Sequence, residues 1–215
     1  MSAIQQMLLQ NTTNRGSFTP TASTLAWYRM ENNVLDSSWN SRNWTATSIT
    51  YTTWKVWNAA VLNWSSSKVV LTNMQNAWEW TFSVWAKFNS TSLNKLILVD
   101  QWAWYIGLWF TNGSNTLSMV AFDTSSKSAD YAFTDTTSFH YIVWTYKTWN
   151  KVKLYVDGSL VAQSSANFWT LWWTSNALVI WYNWVWFLNG IVDELIIENR
   201  EWTSTEITAY YNMTV

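Results

Sequence analysis

The stretch Lys151-Val-Lys-Leu-Tyr-Val-Asp157-Gly158-Ser-Leu-Val161 decides the fold. Val152, Leu154 and Val156 alternate with Lys151, Lys153 and Tyr155, as a strand with one core-facing side requires. Asp-Gly between two such runs is the strongest short-range hairpin signal, because both central residues of the favoured turn need positive φ. Working outward, further β-rich runs recur at Leu25–Met30, Thr45–Tyr51, Ala59–Leu62, Lys68–Leu71, Thr81–Phe88, Lys95–Val99, Tyr105–Phe110, Leu117–Phe122, Phe139–Tyr146, Ala177–Tyr182 and Ile191–Glu198. Short runs separated by Asn, Ser, Asp and Gly predict an all-β protein, an antiparallel β-sandwich. In Thr81–Phe88 the residues Phe82, Val84, Ala86 and Phe88 form the core face, and Ser83, Trp85 and Lys87 the wetter one. Thr203-Ser-Thr-Glu206 ahead of Ile207 and Tyr210-Tyr211 is a capping box opening one short C-terminal helix. Residues 1–24, polar over 11–24 and holding the one proline, read as an N-terminal arm or linker, and 25–215 as a single sandwich domain.

Bulk composition excludes several functions. The 12 Lys+Arg against 13 Asp+Glu form no basic stripe, so nothing favours nucleic acid. The absence of cysteine removes disulfides, thiol nucleophiles and Cys-ligated zinc, and the single histidine, His140, rules out a multi-His metal site in one chain. No apolar run reaches membrane-spanning length. Met1–Gln10 carries no Lys or Arg before Met7-Leu8-Leu9, so it does not read as a Sec signal peptide. An extracellular, cell-surface or virion location then implies export by another route or release from a lysed cell.

Tryptophan occurs 21 times and glycine 5 times. Ordinary glycine usage, about 7%, predicts roughly 15 in a chain of this length. Several tryptophans stand among short polar residues that read as turns, as in Asp36-Ser-Ser-Trp39-Asn40 and Thr148-Trp149-Asn150. A turn with positive φ suits glycine and strains a bulky residue. We therefore read Trp39, Trp44, Trp54, Trp57, Trp64, Trp149, Trp169, Trp172, Trp173, Trp181, Trp184 and Trp186 as positions where a UGA codon, used for glycine in some bacterial lineages and their phages, has been translated as tryptophan. On that reading Trp39, Trp54, Trp57, Trp64 and Trp149 should be exposed in turns. The alternative is that all 21 are real and decorate an aromatic-rich binding surface.

These segments carry a resemblance. Leu25-Ala-Trp-Tyr-Arg-Met-Glu31, Leu35-Asp-Ser-Ser-Trp-Asn40, Trp54-Lys-Val-Trp-Asn-Ala-Ala-Val-Leu-Asn-Trp64, Thr81-Phe-Ser-Val-Trp-Ala-Lys87, Phe139-His-Tyr-Ile-Val-Trp-Thr-Tyr146, Lys153-Leu-Tyr-Val-Asp-Gly158 and Gly190-Ile-Val-Asp-Glu-Leu-Ile-Ile-Glu-Asn-Arg200 follow in order. Over residues 25–212 the chain resembles the laminin-G-like, concanavalin A-like lectin/glucanase jelly rolls of bacterial surface and phage proteins. The resemblance implies a jelly roll, with each of the twelve tryptophans in or beside a turn or strand end where the family tends to carry glycine. The opening Met-Ser-Ala-Ile-Gln-Gln-Met-Leu-Leu9 also resembles phage structural proteins.

The glucanases of that fold carry E-x-D-x-x-E or E-x-D-x-E runs, which this chain lacks. Its densest acidic stretch is Asp193, Glu194 and Glu198. On a regular strand Glu194 and Glu198 lie about 13 Å apart, beyond the roughly 5–5.5 Å of retaining and 6.5–9.5 Å of inverting glycosidases. His140 reads as a hydrogen-bonded structural histidine, with no Gly-x-Ser-x-Gly elbow to make it catalytic. Alternation places Asp193 on the face of Leu195 and Ile197, buried, where a carboxylate needs a metal, an arginine or several N–H donors. Similar jelly rolls hold a structural calcium between the first loop and the last strand. That resemblance implies Ca2+ ligands at Asp36, Asn40 and Asp193, with satisfaction of Asp193 by backbone N–H groups as the equal alternative.

The chain thus reads as a non-catalytic carbohydrate-binding or adhesion module of a cell-surface or phage structural protein. Its expected partners are a carbohydrate or cell-surface glycan, or neighbouring structural subunits. Two other classes are a structural virion component that binds no sugar and a glycoside hydrolase of the same fold. Trp102, Trp104, Tyr105, Trp109 and Tyr182 are the aromatics that sugar rings could stack on, against a plain core role for each.

Overall fold

The computed structural model describes residues 18–54, 57–63, 66–72, 78–91, 95–99, 106–111, 114–123, 125–169, 177–180 and 188–214. Two antiparallel sheets form a sandwich. The first contains β1 (Thr24–Tyr28), β3 (Thr50–Trp54), β4 (Trp57–Leu62), β6 (Glu79–Phe88), β11 (His140–Lys147), β12 (Lys153–Val156), β13 (Ser159–Gln163) and β15 (Gly190–Glu198). Its order is β13-β12-β11-β6-β15-β4-β3, with β1 also paired to β15. The second contains β2 (Thr45–Thr47), β5 (Lys68–Thr72), β7 (Lys95–Val99), β8 (Ile106–Thr111), β9 (Thr116–Phe122), β10 (Ser126–Ala132) and β14 (Ala177–Ile180), in the order β10-β9-β8-β7-β14-β5-β2. Neighbours far apart in sequence, such as β6 between β11 and β15, give the jelly-roll character. The run expected at Thr45–Tyr51 divides at Ser48 (φ 52) into β2 and the start of β3, one in each sheet.

The deciding hairpin forms as read. Val156 pairs with Ser159 around Asp157 and Gly158, both at positive φ (50 and 77). Phe82, Val84, Ala86 and Phe88 of β6 face Ile106, Leu108 and Phe110 of β8 and Leu117 and Met119 of β9 in one core between the sheets. Ile142, Trp144, Leu154, Val192, Leu195 and Ile197 belong to the same core.

Helix α1 (Ser204–Thr214) covers the outer face of the first sheet. Its capping box is reciprocal: Thr203 N–H donates to Glu206 Oε2 (2.8 Å) and Glu206 N–H to Thr203 Oγ1 (3.2 Å). Beneath it Trp85, Tyr141, Val143, Tyr155 and Ile196 join Trp202, Ile207 and Tyr210 in a second apolar cluster. The face of β6 expected to be wetter is therefore buried too. Phe18 packs edge-on against Trp27 (5.4 Å between rings) and Tyr210 (6.1 Å), so the described chain joins this layer ahead of β1.

Candidate functional site

The acidic residues of β15 come first, because their alternation breaks. The β15–β6 register shifts between Asp193 and Ile196, and Glu194 takes a φ of 49. Val192 faces the core opposite Ala86, whereas Asp193 stands opposite Trp85 on the helix-covered face. Past the bulge, Leu195 and Ile197 face the core again. This corrects the sequence reading: Asp193 is buried at 0% exposure, but on the face opposite Leu195 and Ile197. A single extra residue reverses which side each neighbour presents.

Asp193 Oδ1 accepts the N–H of Glu194 (2.9 Å). In the first loop, Asp36 Oδ1 accepts the N–H groups of Trp27 (3.0 Å) and Ser38 (2.8 Å), while Oδ2 accepts Ser38 Oγ–H (2.8 Å) and Arg42 N–H (2.9 Å). Asn40 Nδ2 donates to the carbonyls of Thr24 (2.7 Å) and Leu25 (3.2 Å). Both loop residues thus fasten the loop to β1, which pairs with β15 through Trp27 and Ile196. Four donors fill the acceptor capacity of the Asp36 carboxylate, so a cation there would have to displace some of them. Among the described residues no group of three or more His, Asp or Glu side chains is placed to hold a metal ion.

The remaining β15 carboxylates brace the helix layer. Glu194 Oε2 accepts Trp27 Nε1–H (2.7 Å), and Arg29 Nε stands 4.0 Å from Oε1. Glu198 accepts Thr24 Oγ1–H (2.7 Å) and Trp202 Nε1–H (2.6 Å) and pairs with Arg200 Nε (2.8 Å). Both are buried. An acid–base pair acting on a sugar bond must reach substrate and water, and these two reach neither. His140 lies between Asp157 and Asp135; the Asp157 hydrogen bond leads in raising its pKa above 6.5, and burial opposes that.

The outer face of the second sheet has a different character. Because Leu108 and Phe110 face the core, Trp109 between them turns outward, half-exposed. It stands opposite Ser118, which stands opposite Asp130 on the edge strand β10. Thr111 and Ser118 share a hydroxyl hydrogen bond (2.8 Å), and Ser128 Oγ–H donates to Asp130 Oδ2 (2.8 Å). The half-buried indole thus lies on one face with the exposed Thr111 and Asp130, and the Ser118 hydroxyl is buried between strands. Neither β10 nor Asp130 is apparent in the sequence, because Ser-Lys-Ser-Ala-Asp-Tyr-Ala has weak strand propensity. Trp102, Trp104, Tyr105 and Tyr182 lie outside the described residues.

The tryptophans read as glycines divide. Trp39 (71% exposed) and Trp149 (67% exposed, φ 66) sit in turns as expected, and Trp169 is exposed with its ring 5.4 Å from that of Trp149. Trp54 and Trp57 do not follow the expectation. They pair with each other at the ends of β3 and β4, half-buried, with Trp54 stacked on Phe139 (4.3 Å). Trp44 is buried and stacked on Tyr28 (3.9 Å). Trp64, Trp172, Trp173, Trp181, Trp184 and Trp186 lie outside the described residues.

Two sheets in this order, with a helix on the outer face of the first, define a lectin-like jelly roll. The chain belongs to the concanavalin A-like lectin/glucanases superfamily, whose family model matches residues 63–208. Among solved structures it is similar to domain 4 of AbnA, a GH43 extracellular arabinanase from Geobacillus stearothermophilus, in complex with arabinotriose. That likeness has 20% identity and a TM-score of 0.74, covering 89% of this chain and 100% of the domain. It is also similar to the binding domain of botulinum neurotoxin DC in complexes with rat synaptotagmin II (14% identity, TM-score 0.73) and with SialylT (13%, 0.71). Each of those covers 90% of this chain and 52% of the binding-domain chain, so this chain spans about half the length of that binding domain. A comparison with curated proteins gives no match.

Proposed function

We propose that this domain is a non-catalytic carbohydrate-binding or adhesion module of a cell-surface or phage-particle protein, and that it binds glycan on the outer face of the second sheet. The row Trp109, Ser118 and Asp130 carries the reading, since on a face that α1 does not cover it sets a half-buried indole near an exposed carboxylate, with Ser118 buried between them. The arabinotriose complex of the similar arabinanase domain supports a sugar as ligand and suggests the first one to try. Titration calorimetry with arabinotriose and with a panel of neutral and sialylated glycans tests it. Binding by one of them that Trp109→Ala abolishes and Trp149→Ala leaves unchanged is the expected result; no binding across the panel, or binding indifferent to Trp109, overturns it.

A second reading, assembly with neighbouring subunits and no sugar, is favoured by the exposed Trp78, Trp149 and Trp169, which backbone contacts bring to one edge. Sedimentation of a large assembly in place of a monomer would support it. Two narrower proposals stand beside the function. One is UGA recoding at the twelve tryptophans, supported by positive φ and exposure at Trp149 and exposure at Trp39, with the packed Trp44, Trp54 and Trp57 as its weakest members. The other is a structural calcium between Asp36, Asn40 and Asp193, supported by the full burial of Asp193 and by the loop's attachment to β1 beside β15.

A further inference from the structure

The loop 133–139, which joins β10 to β11, is fastened to the far hairpin by one side chain. His140 Nδ1 lies 2.7 Å from Asp157 Oδ2 and Nε2 lies 3.1 Å from Asp135 Oδ2. A neutral imidazole donates from one nitrogen only and would set the lone pair of the other against a carboxylate oxygen. Contact with a carboxylate at each nitrogen is the geometry of the imidazolium.

Both carboxylates are held in place. Asp157 Oδ1 accepts Tyr141 N–H (2.9 Å), which fixes it to β11. Asp135 Oδ1 accepts the N–H groups of Thr137 (2.7 Å) and Ser138 (3.2 Å) and the Thr137 hydroxyl (2.7 Å), which folds the loop on itself. The turn at Gly158 also receives the helix: Thr208 Oγ1–H donates to its carbonyl (2.7 Å), and a Cβ at Gly158 would stand 3.1 Å from the Tyr211 ring. Phe133, buried in the core, meets the imidazole edge-on at 4.9 Å. Among the described residues the ionisable groups facing His140 are thus Asp135 and Asp157, with the Tyr211 phenol beyond Asp157, raised by burial first and Asp157 second.

We propose that protonated His140 is a latch that fastens the 133–139 loop to the Asp157–Gly158 turn, and that loss of its proton on the alkaline side frees the loop. The inference is independent of the sugar-binding reading and of which tryptophans are real. Its sign follows from linkage: a histidine raised above 6.5 when folded contributes stability fully present below 6.5 and lost as pH rises through the folded pKa. The carboxylate of Asp135 is held well below its usual range, by the Thr137 N–H first, and stays charged throughout.

The chain has a single histidine, so an imidazole nitrogen NMR titration reads His140 without ambiguity. The latch requires both ring nitrogens protonated at about pH 6 and a pKa above 6.5 that Asp135→Asn lowers. It also requires protection of the Thr137 and Ser138 amides, corrected for intrinsic exchange, to fall severalfold between about pH 6 and pH 9. In His140→Gln that protection should be low and independent of pH. If His140→Gln fails to fold, the wild-type and Asp135→Asn measurements decide alone. A pKa at or below 6.5, or amide protection unchanged across the titration, overturns the proposal.

Discussion

Indole N–H groups distinguish the tryptophans of this chain from one another. Trp27 and Trp202 each donate to a buried carboxylate, Glu194 and Glu198, and glycine could not replace either function. Trp202→Phe should cost about 1.5–3 kcal/mol, because it removes a hydrogen bond to a buried charged acceptor; equilibrium denaturation measures it. Trp149 has the opposite character, with an exposed ring on a backbone of φ 66. Trp149→Gly should stabilise the fold by about 1 kcal/mol, the order of the left-handed penalty for a side-chain-bearing residue, and a loss of stability would count against a glycine there. Turn composition in the sequence suffices to single out Trp39 and Trp149. It fails for Trp54 and Trp57, because polar neighbours mark a turn but do not say which flanking residues are already strand. The codons of the twelve positions decide the matter: UGG at all of them ends the recoding proposal.

At the scale of elements, the regular ones were legible and the interrupted one was not. The Asp157–Gly158 hairpin and the α1 capping box are local signals, and both form as read. Thr203→Ala should cost about 1 kcal/mol in thermal or chemical unfolding, the usual loss for an N-cap, and a change near zero would show that α1 is held by packing alone. In β15 the bulge at Glu194 turns Asp193 away from the side that alternation assigns it, and nothing in Asp-Glu-Leu-Ile announces that. Strand β10 escaped because its outward residues are Ser128 and Asp130, polar groups that suit an exposed edge strand. The same two residues belong to the proposed sugar face, so the site was hidden by the property that would make it useful.

At the scale of the molecule, the described residues form two sheets and one helix, and that helix covers the outer face of the first sheet. The sequence forecasts the sandwich but not the cover, since where a terminal helix docks is a tertiary fact, and Trp85, on the strand face expected to be wetter, is buried with Ile196 in the layer beneath α1. The calcium proposal also belongs here, because it would tie the first loop to the last strand. Excess EDTA should lower the melting temperature and added Ca2+ restore it, and no shift with either would leave the hydrogen bonds of Asp36 and Asn40 to fasten the loop without a metal. Binding without hydrolysis is the central claim, and one experiment reads both halves: calorimetric titration of the protein with arabinotriose and the glycan panel, followed by assay of the same samples for newly released reducing ends. The account predicts saturable binding that Trp109→Ala removes, with no reducing ends formed; release of reducing sugar, or no binding to any glycan, would contradict it.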